Sequence, residues 1–81
     1  MKNIILNQKI EVTSKRSTRE KLLTYLSIEA KKAKNKSFYI PYDRQGLADY
    51  LEVDRSGLSN EISKLIKENI IKSEKNYFEI L

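Results

Sequence analysis

Apolar positions along the chain fall into blocks whose spacing changes several times, and each change marks a new element. Leu22, Leu23, Leu26, Ala30 and Ala33 recur at the spacing of one helical face turned toward a core. Ser17 with Glu20 three residues on makes a capping-box pair, so this helix is expected to begin afresh within Ser14–Thr18. Ser37-Phe38-Tyr39-Ile40-Pro41 is β-prone, with Phe38 and Ile40 on one face. Pro41, which has no N–H for a ladder, ends it as an edge strand. Asp43 is placed to cap a helix through Leu51, with Leu47, Ala48 and Leu51 inward. Asp54 is placed to cap another to about Lys67, with Leu58, Ile62, Leu65 and Ile66 inward. Asn69 suits a left-handed stop, and Ile70–Leu81 reads as two strands around a turn at Glu74-Lys75-Asn76. Ile71, Tyr77, Phe78 and Ile80 give that hairpin an apolar surface.

The predicted order is helix, strand, helix, helix, hairpin, an α+β arrangement. Only Glu52 and Val53 separate the two capped helices, and Val53 is available to plug the angle between them. Ala48 is small where their backbones must approach, and together these features predict a helix-turn-helix. Residues 14–81 are therefore expected to form a winged helix-turn-helix: a three-helix core, a short edge strand and a C-terminal β-hairpin wing. Upstream, Asn3, Leu6, Ile10 and Thr13 place Leu6 and Ile10 on one stripe, only two apolar residues deep. Residues 1–13 are read as the tail of a dimerisation helix and linker, with a frayed N-terminal helix as the plainer alternative.

Composition narrows the chemistry. Eighty-one residues suffice for one small domain and one core. With no Cys and no His, disulfides, thiolate or imidazole metal sites and the Ser/His or Cys/His catalytic pairings are excluded from within the chain. The Asp and Glu residues sit mostly at caps or on exposed helical positions, so no enzyme activity, metal or cofactor is expected in this chain. No apolar run approaches the ~18 to 20 residues of a membrane span, and Met1–Val12 lacks the pattern of a signal peptide. A cytoplasmic protein without a membrane partner is expected.

The formal net charge of +5 is unevenly spread, with nine Lys or Arg against three Glu between Lys9 and Lys36. Lys31, Lys32, Lys34 and Lys36 also suit the negative end of a helix dipole, so charge alone does not separate a phosphate-binding face from a solvated one.

The run from Asp43 to Glu61, Asp43-Arg44-Gln45-Gly46-Leu47-Ala48-Asp49-Tyr50-Leu51-Glu52-Val53-Asp54-Arg55-Ser56-Gly57-Leu58-Ser59-Asn60-Glu61, resembles the helix-turn-helix of the Crp/Fnr family of bacterial transcription regulators. Ser14–Leu23 resembles that family's linker and first DNA-domain helix, so the likeness extends from about Leu6 over nearly the whole chain. The family's N-terminal β-roll sensor is absent. In the family that half binds a cyclic nucleotide or another effector, and a long helix after it pairs two subunits. Leu6 and Ile10 would be the tail of that helix, and Met1 either an engineered start or the start of a truncated paralogue.

The resemblance implies a transcription factor that binds double-stranded DNA by sequence. Its recognition helix, 54–67, would lie in the major groove of a palindromic operator, with a homodimer in the full-length protein and RNA polymerase as a further partner. It assigns base reading to Arg55, Ser56, Ser59 and Asn60. Arg55 is the first of these, because a guanidinium bonds O6 and N7 of guanine together. A surface pairing of Arg55 with Asp54 or Glu61 is the structural alternative. Phosphate contacts fall to Arg44 and Gln45, to Arg16 and Ser17 at the preceding helix, and to Lys75 and Asn76 at the wing tip.

Three positions depart from the family pattern: Asn60 stands where a second Arg is common, Gly57 where Ala or a hydroxyl residue is common, and Glu52 where the turn often has glycine. The competing readings are a winged-helix protein-interaction module, which an apolar or acidic recognition face would favour, and a free-standing repressor without a sensor.

Overall fold

Four helices and three short strands make up the described part of the chain: α1 (Ile4–Thr13), α2 (Thr18–Ala33), β1 (Ser37–Tyr39), α3 (Arg44–Leu51), α4 (Arg55–Lys67), β2 (Ile71–Glu74) and β3 (Tyr77–Ile80). The computed structural model describes the backbone of residues 4–81 and the side chains of residues 8–81. Asn3 and the Leu6 side chain, on which part of the N-terminal stripe was read, lie outside the described residues.

Local chemistry starts α2, α3 and α4. The Ser17 side chain accepts from the Glu20 N–H, and the Glu20 carboxylate accepts in return from the Ser17 N–H, so both halves of the capping box are present. Asp43 accepts from Gly46 N–H at 2.7 Å and Asp54 from Gly57 N–H at 3.0 Å, each satisfying a donor that the first helical turn leaves free.

Left-handed residues stop or turn the chain: Lys34 (φ 55°), Glu52 (φ 59°) and Asn69 (φ 60°). Beyond them Asn35 N–H reaches Ala30 O at 3.2 Å, Val53 N–H reaches Ala48 O at 3.0 Å, and Ile70 N–H reaches Leu65 O at 3.0 Å. All three are the six-to-one bond of a Schellman-type C-terminus. A non-glycine residue in this region costs roughly 1 kcal/mol. Glu52→Gly is therefore expected to stabilise the fold by up to about 1 kcal/mol, less the entropy glycine adds to the unfolded chain. Urea midpoints of the two proteins check it.

The sheet is antiparallel in the order β1-β3-β2, with Phe38 opposite Phe78 and Ser73 opposite Phe78 on the other side. β1 is an edge strand, as is β2, and Ile40 N–H extends the β1–β3 ladder by donating to Asn76 O at 2.9 Å. The hairpin turn is tighter than the sequence implied: Glu74 stays in β2 and pairs with Tyr77, leaving Lys75 and Asn76 to close it.

One core joins both layers. Leu22, Leu26, Leu47, Ala48, Leu51, Leu58, Leu65, Ile71 and Phe78 are fully buried, with Tyr25, Phe38, Ile40 and Ile62 nearly so. Full burial of a large apolar side chain contributes ~1.5 to 3 kcal/mol. Two expectations are corrected. Ala33, at the end of the last turn of α2, is exposed, as are Lys31, Lys32 and Lys34 around it. Ile66 is 40 % exposed, since it follows Leu65 by about 100° and leaves the Leu58–Ile62–Leu65 line. Ile10, read as part of a dimerisation stripe, is 57 % exposed, and Val12 anchors α1 in the core.

Tyr25, not anticipated as core, is 2 % exposed. Its ring lies 5.2 Å from Tyr50 and 6.3 Å from Tyr42, and burial above all pushes its hydroxyl above the usual tyrosine value. This aromatic cluster also receives α1, for Gln8 Nε2 donates to the Tyr50 hydroxyl at 3.5 Å and Lys9 Nζ lies 5.2 Å from the Tyr50 ring.

Candidate nucleic-acid interface

With Leu58, Ile62 and Leu65 in the core, helical geometry turns Ser56, Asn60 and Ser63 outward on α4, and all three are exposed. Ser59, at the margin of that face, is half-buried. Arg55 is the first residue of α4 and is also exposed. Neither carboxylate proposed as its partner holds it, for Asp54 accepts from Gly57 N–H and Glu61 is bound by Arg19 at 2.6 Å. Arg55 has no ion pair among the described residues.

Arg19 is the clamp that places α4. Its Nε donates to Glu61, and its two terminal nitrogens reach the Glu68 carboxylate at 3.0 and 2.9 Å, so one guanidinium from α2 engages both carboxylates at once. Glu61 and Glu68 lie 42 and 49 residues away in sequence, and no local pattern signals such a pairing. The guanidinium bonds hold the Glu68 carboxyl below its ordinary value, while Arg19 itself is raised and stays charged.

Because the folded value of Glu68 is the lower one, its contribution to stability is present above the ordinary Glu value near 4.3 and lost as pH falls through the folded value. Acid unfolding of Glu68→Gln should accordingly show a shallower fall below about pH 4 than the parent chain. A superimposable acid limb would remove Glu68 from the account.

At α3, Arg44 follows the Asp43 cap. Its guanidinium carbon lies 6.0 Å from the Phe78 ring centroid, and the residue is half-buried. Burial first, and the charge of Arg55 second, lower its pKa from the ordinary arginine value. Two guanidinium groups thus stand in each other's field, neither with a carboxylate bound among the described residues. An anion placed near both would relieve that repulsion.

The hairpin turn comes to the same end of the molecule. Lys75 and Asn76 line an open pocket of about 440 Å³ with Pro41, Tyr42 and Asp43, immediately before Arg44. Lys75 is exposed at φ 54°. The Asn76 amide, expected to meet phosphate, instead donates to Ile40 O at 3.0 Å and holds the hairpin to the end of β1.

Gln45 is exposed but its amide donates to Asp49 Oδ1 at 3.0 Å. Arg16 is exposed beside Ser17, whose hydroxyl oxygen already caps α2. The structure therefore gathers Arg44, Arg55 and the hairpin turn. Arg16 and Ser17 lie at the start of α2, which Arg19 and a 3.5 Å bond from Lys21 Nζ to Glu52 O tie to α4 and the turn before it. Ser63 was missed from sequence, although its spacing from Asn60 would have shown it.

Gly57 has no internal reason to be glycine. Its φ is not positive, and a Cβ there would meet nothing nearer than Asp54, at 3.9 Å. Gly57→Ala is expected to raise stability by ~1 kcal/mol, as for glycine replaced in an open helix, which calorimetry would read directly.

No family model matches the chain, and no curated protein matches it significantly. Among the described residues no helix is long and apolar enough to cross a membrane, and no cluster of acidic side chains could hold a metal ion.

Proposed function

We propose that this chain is a winged helix-turn-helix module, of the type found in Crp/Fnr regulators, that binds duplex DNA by sequence and serves bacterial transcription regulation. In this reading α3 and α4 form the helix-turn-helix, β2 and β3 the wing, and α4 enters the major groove. The observation that carries it is the unpaired Arg55 at the start of α4, beside Ser56, Ser59 and Asn60 and next to a second uncompensated cation, Arg44.

Arg55 reads guanine, and Asn60 is suited to adenine through its amide. Arg44 and Lys75 meet backbone phosphates on either side, and Gly57 lets the helix approach the sugar-phosphate wall without a side chain between. The outer face of α4 is polar and hydrogen-bonding rather than apolar or acidic, which favours DNA over a protein-interaction role. Two such modules in a full-length homodimer would read a palindromic operator, and an effector would bind a sensor domain outside this chain.

Selection of this chain on a library of palindromic sites, across a salt series, tests the reading. An enriched motif is expected, with affinity falling steeply as salt rises. Arg44→Ala should weaken all sequences alike and lower the salt slope by about one ion. Absence of any binding at low salt would defeat the proposal.

A further inference from the structure

The outer face of the sheet carries a feature that DNA reading does not use. Tyr39 ends β1 at 72 % exposure, the most exposed large apolar side chain described, and its ring lies 5.2 Å from Tyr77 across the β1–β3 ladder. Glu74 of β2 is the next residue in the same cross-strand row. Tyr39, Tyr77, Glu74, Lys75 and Asn76 line an open pocket of about 380 Å³. The Tyr77 hydroxyl donates to Glu79 Oε1 at 3.2 Å, which adds electron density to the ring. Two tyrosine faces and a carboxylate around an open pocket are the chemistry that receives an ammonium or guanidinium group.

The densest run of such groups lies just before the same strand. Lys31, Lys32, Lys34 and Lys36 are all exposed, and the left-handed turn at Lys34 carries the chain from α2 toward β1. Lys32 meets Glu29 at 3.6 Å, whereas Lys31, Lys34 and Lys36 have no ion pair among the described residues. Lys36 precedes β1 and Tyr39 closes it, about 10 Å apart at ~3.3 Å per residue. The cations and the pocket therefore sit at opposite ends of one short strand.

We infer that a second copy of this chain occupies the Tyr39–Tyr77–Glu74 pocket through its Lys31–Lys36 segment, and that the contact is reciprocal about a two-fold axis. Two copies approaching with β1 antiparallel set the lysine end of each against the tyrosine end of the other, the self-complementary arrangement a two-fold interface requires. The patch is small and Lys75 borders it, so the dimer is weak and salt-sensitive. The inference is independent of DNA reading, and its test contains no DNA.

Sedimentation of the whole chain, from tens of micromolar to millimolar at low and high salt, should show a reversible monomer–dimer equilibrium weakened by salt. Tyr39→Ala and Glu74→Gln should each weaken it roughly fivefold to tenfold, and Lys34→Glu with Lys36→Glu should abolish it. These side chains are exposed, and circular dichroism checks that each variant keeps its fold.

The heterodimer of Tyr39→Ala with the double lysine variant retains one intact contact of the two, so their equimolar mixture should hold more dimer than the two variants sedimented separately, each at the concentration it has in the mixture. A chain that stays monomeric throughout, a dimer indifferent to these substitutions, or a mixture with no more dimer than the two variants show separately would overturn the proposal.

Discussion

Arg55→Ala is expected to cost ~1 to 3 kcal/mol in binding to the preferred DNA site and to erase discrimination at one base position, leaving non-specific binding at low salt nearly intact. The expectation rests on the state of Arg55 in the free protein. It is exposed, holds no carboxylate among the described residues, and so, on the proposed reading, would exchange water rather than a protein partner for a guanine. Glu61, the residue that would otherwise neutralise it, is occupied by Arg19.

Binding-site selection with the parent and variant chains reads the base preference, and titration of the preferred site reads the energy. A uniform loss across all sequences would move Arg55 to the phosphate-contacting group. An unchanged preference and affinity would remove α4 from the interface.

The largest stability effect is expected at Phe78. It is fully buried in β3, pairs with Phe38 in the ladder to β1, and supports the Arg44 guanidinium from α3. Phe78→Ala should destabilise the chain by ~3 to 5 kcal/mol, from lost burial plus the cavity left behind. In a small domain that removes much of the total stability. Phe78→Leu keeps much of the volume and should cost markedly less. Urea unfolding of the three proteins tests the order, and a Phe78→Ala loss under about 1 kcal/mol would mean the site collapses and refills.

Beside these, Tyr25 shows where pattern reading fell short. Its spacing from Leu22 and Leu26 fits the inward face of α2, yet tyrosine, with its polar tip, is only intermediate in its tendency to be buried. Its burial follows from Tyr42 and Tyr50, which arrive from α3 and the segment before it to cover the ring. Asn76 went the other way: a polar turn residue suits an outside contact, but the arrival of β1 gives its amide an inside partner at Ile40 O.

What the amino-acid order determined by itself was local. Caps at Ser17, Asp43 and Asp54, the stop after α4, the helical faces of α3 and α4 and the C-terminal hairpin all follow from bonds or periodicities within a few residues, and such interactions are readable in a linear string.

Tertiary structure alone decided the rest: β1 beside β3, Val12 in the core, the Arg19 clamp on Glu61 and Glu68, and the field of Arg55 at Arg44. Each depends on the angle at which distant elements meet. That angle is set by packing the whole core at once, and no short stretch of sequence encodes it.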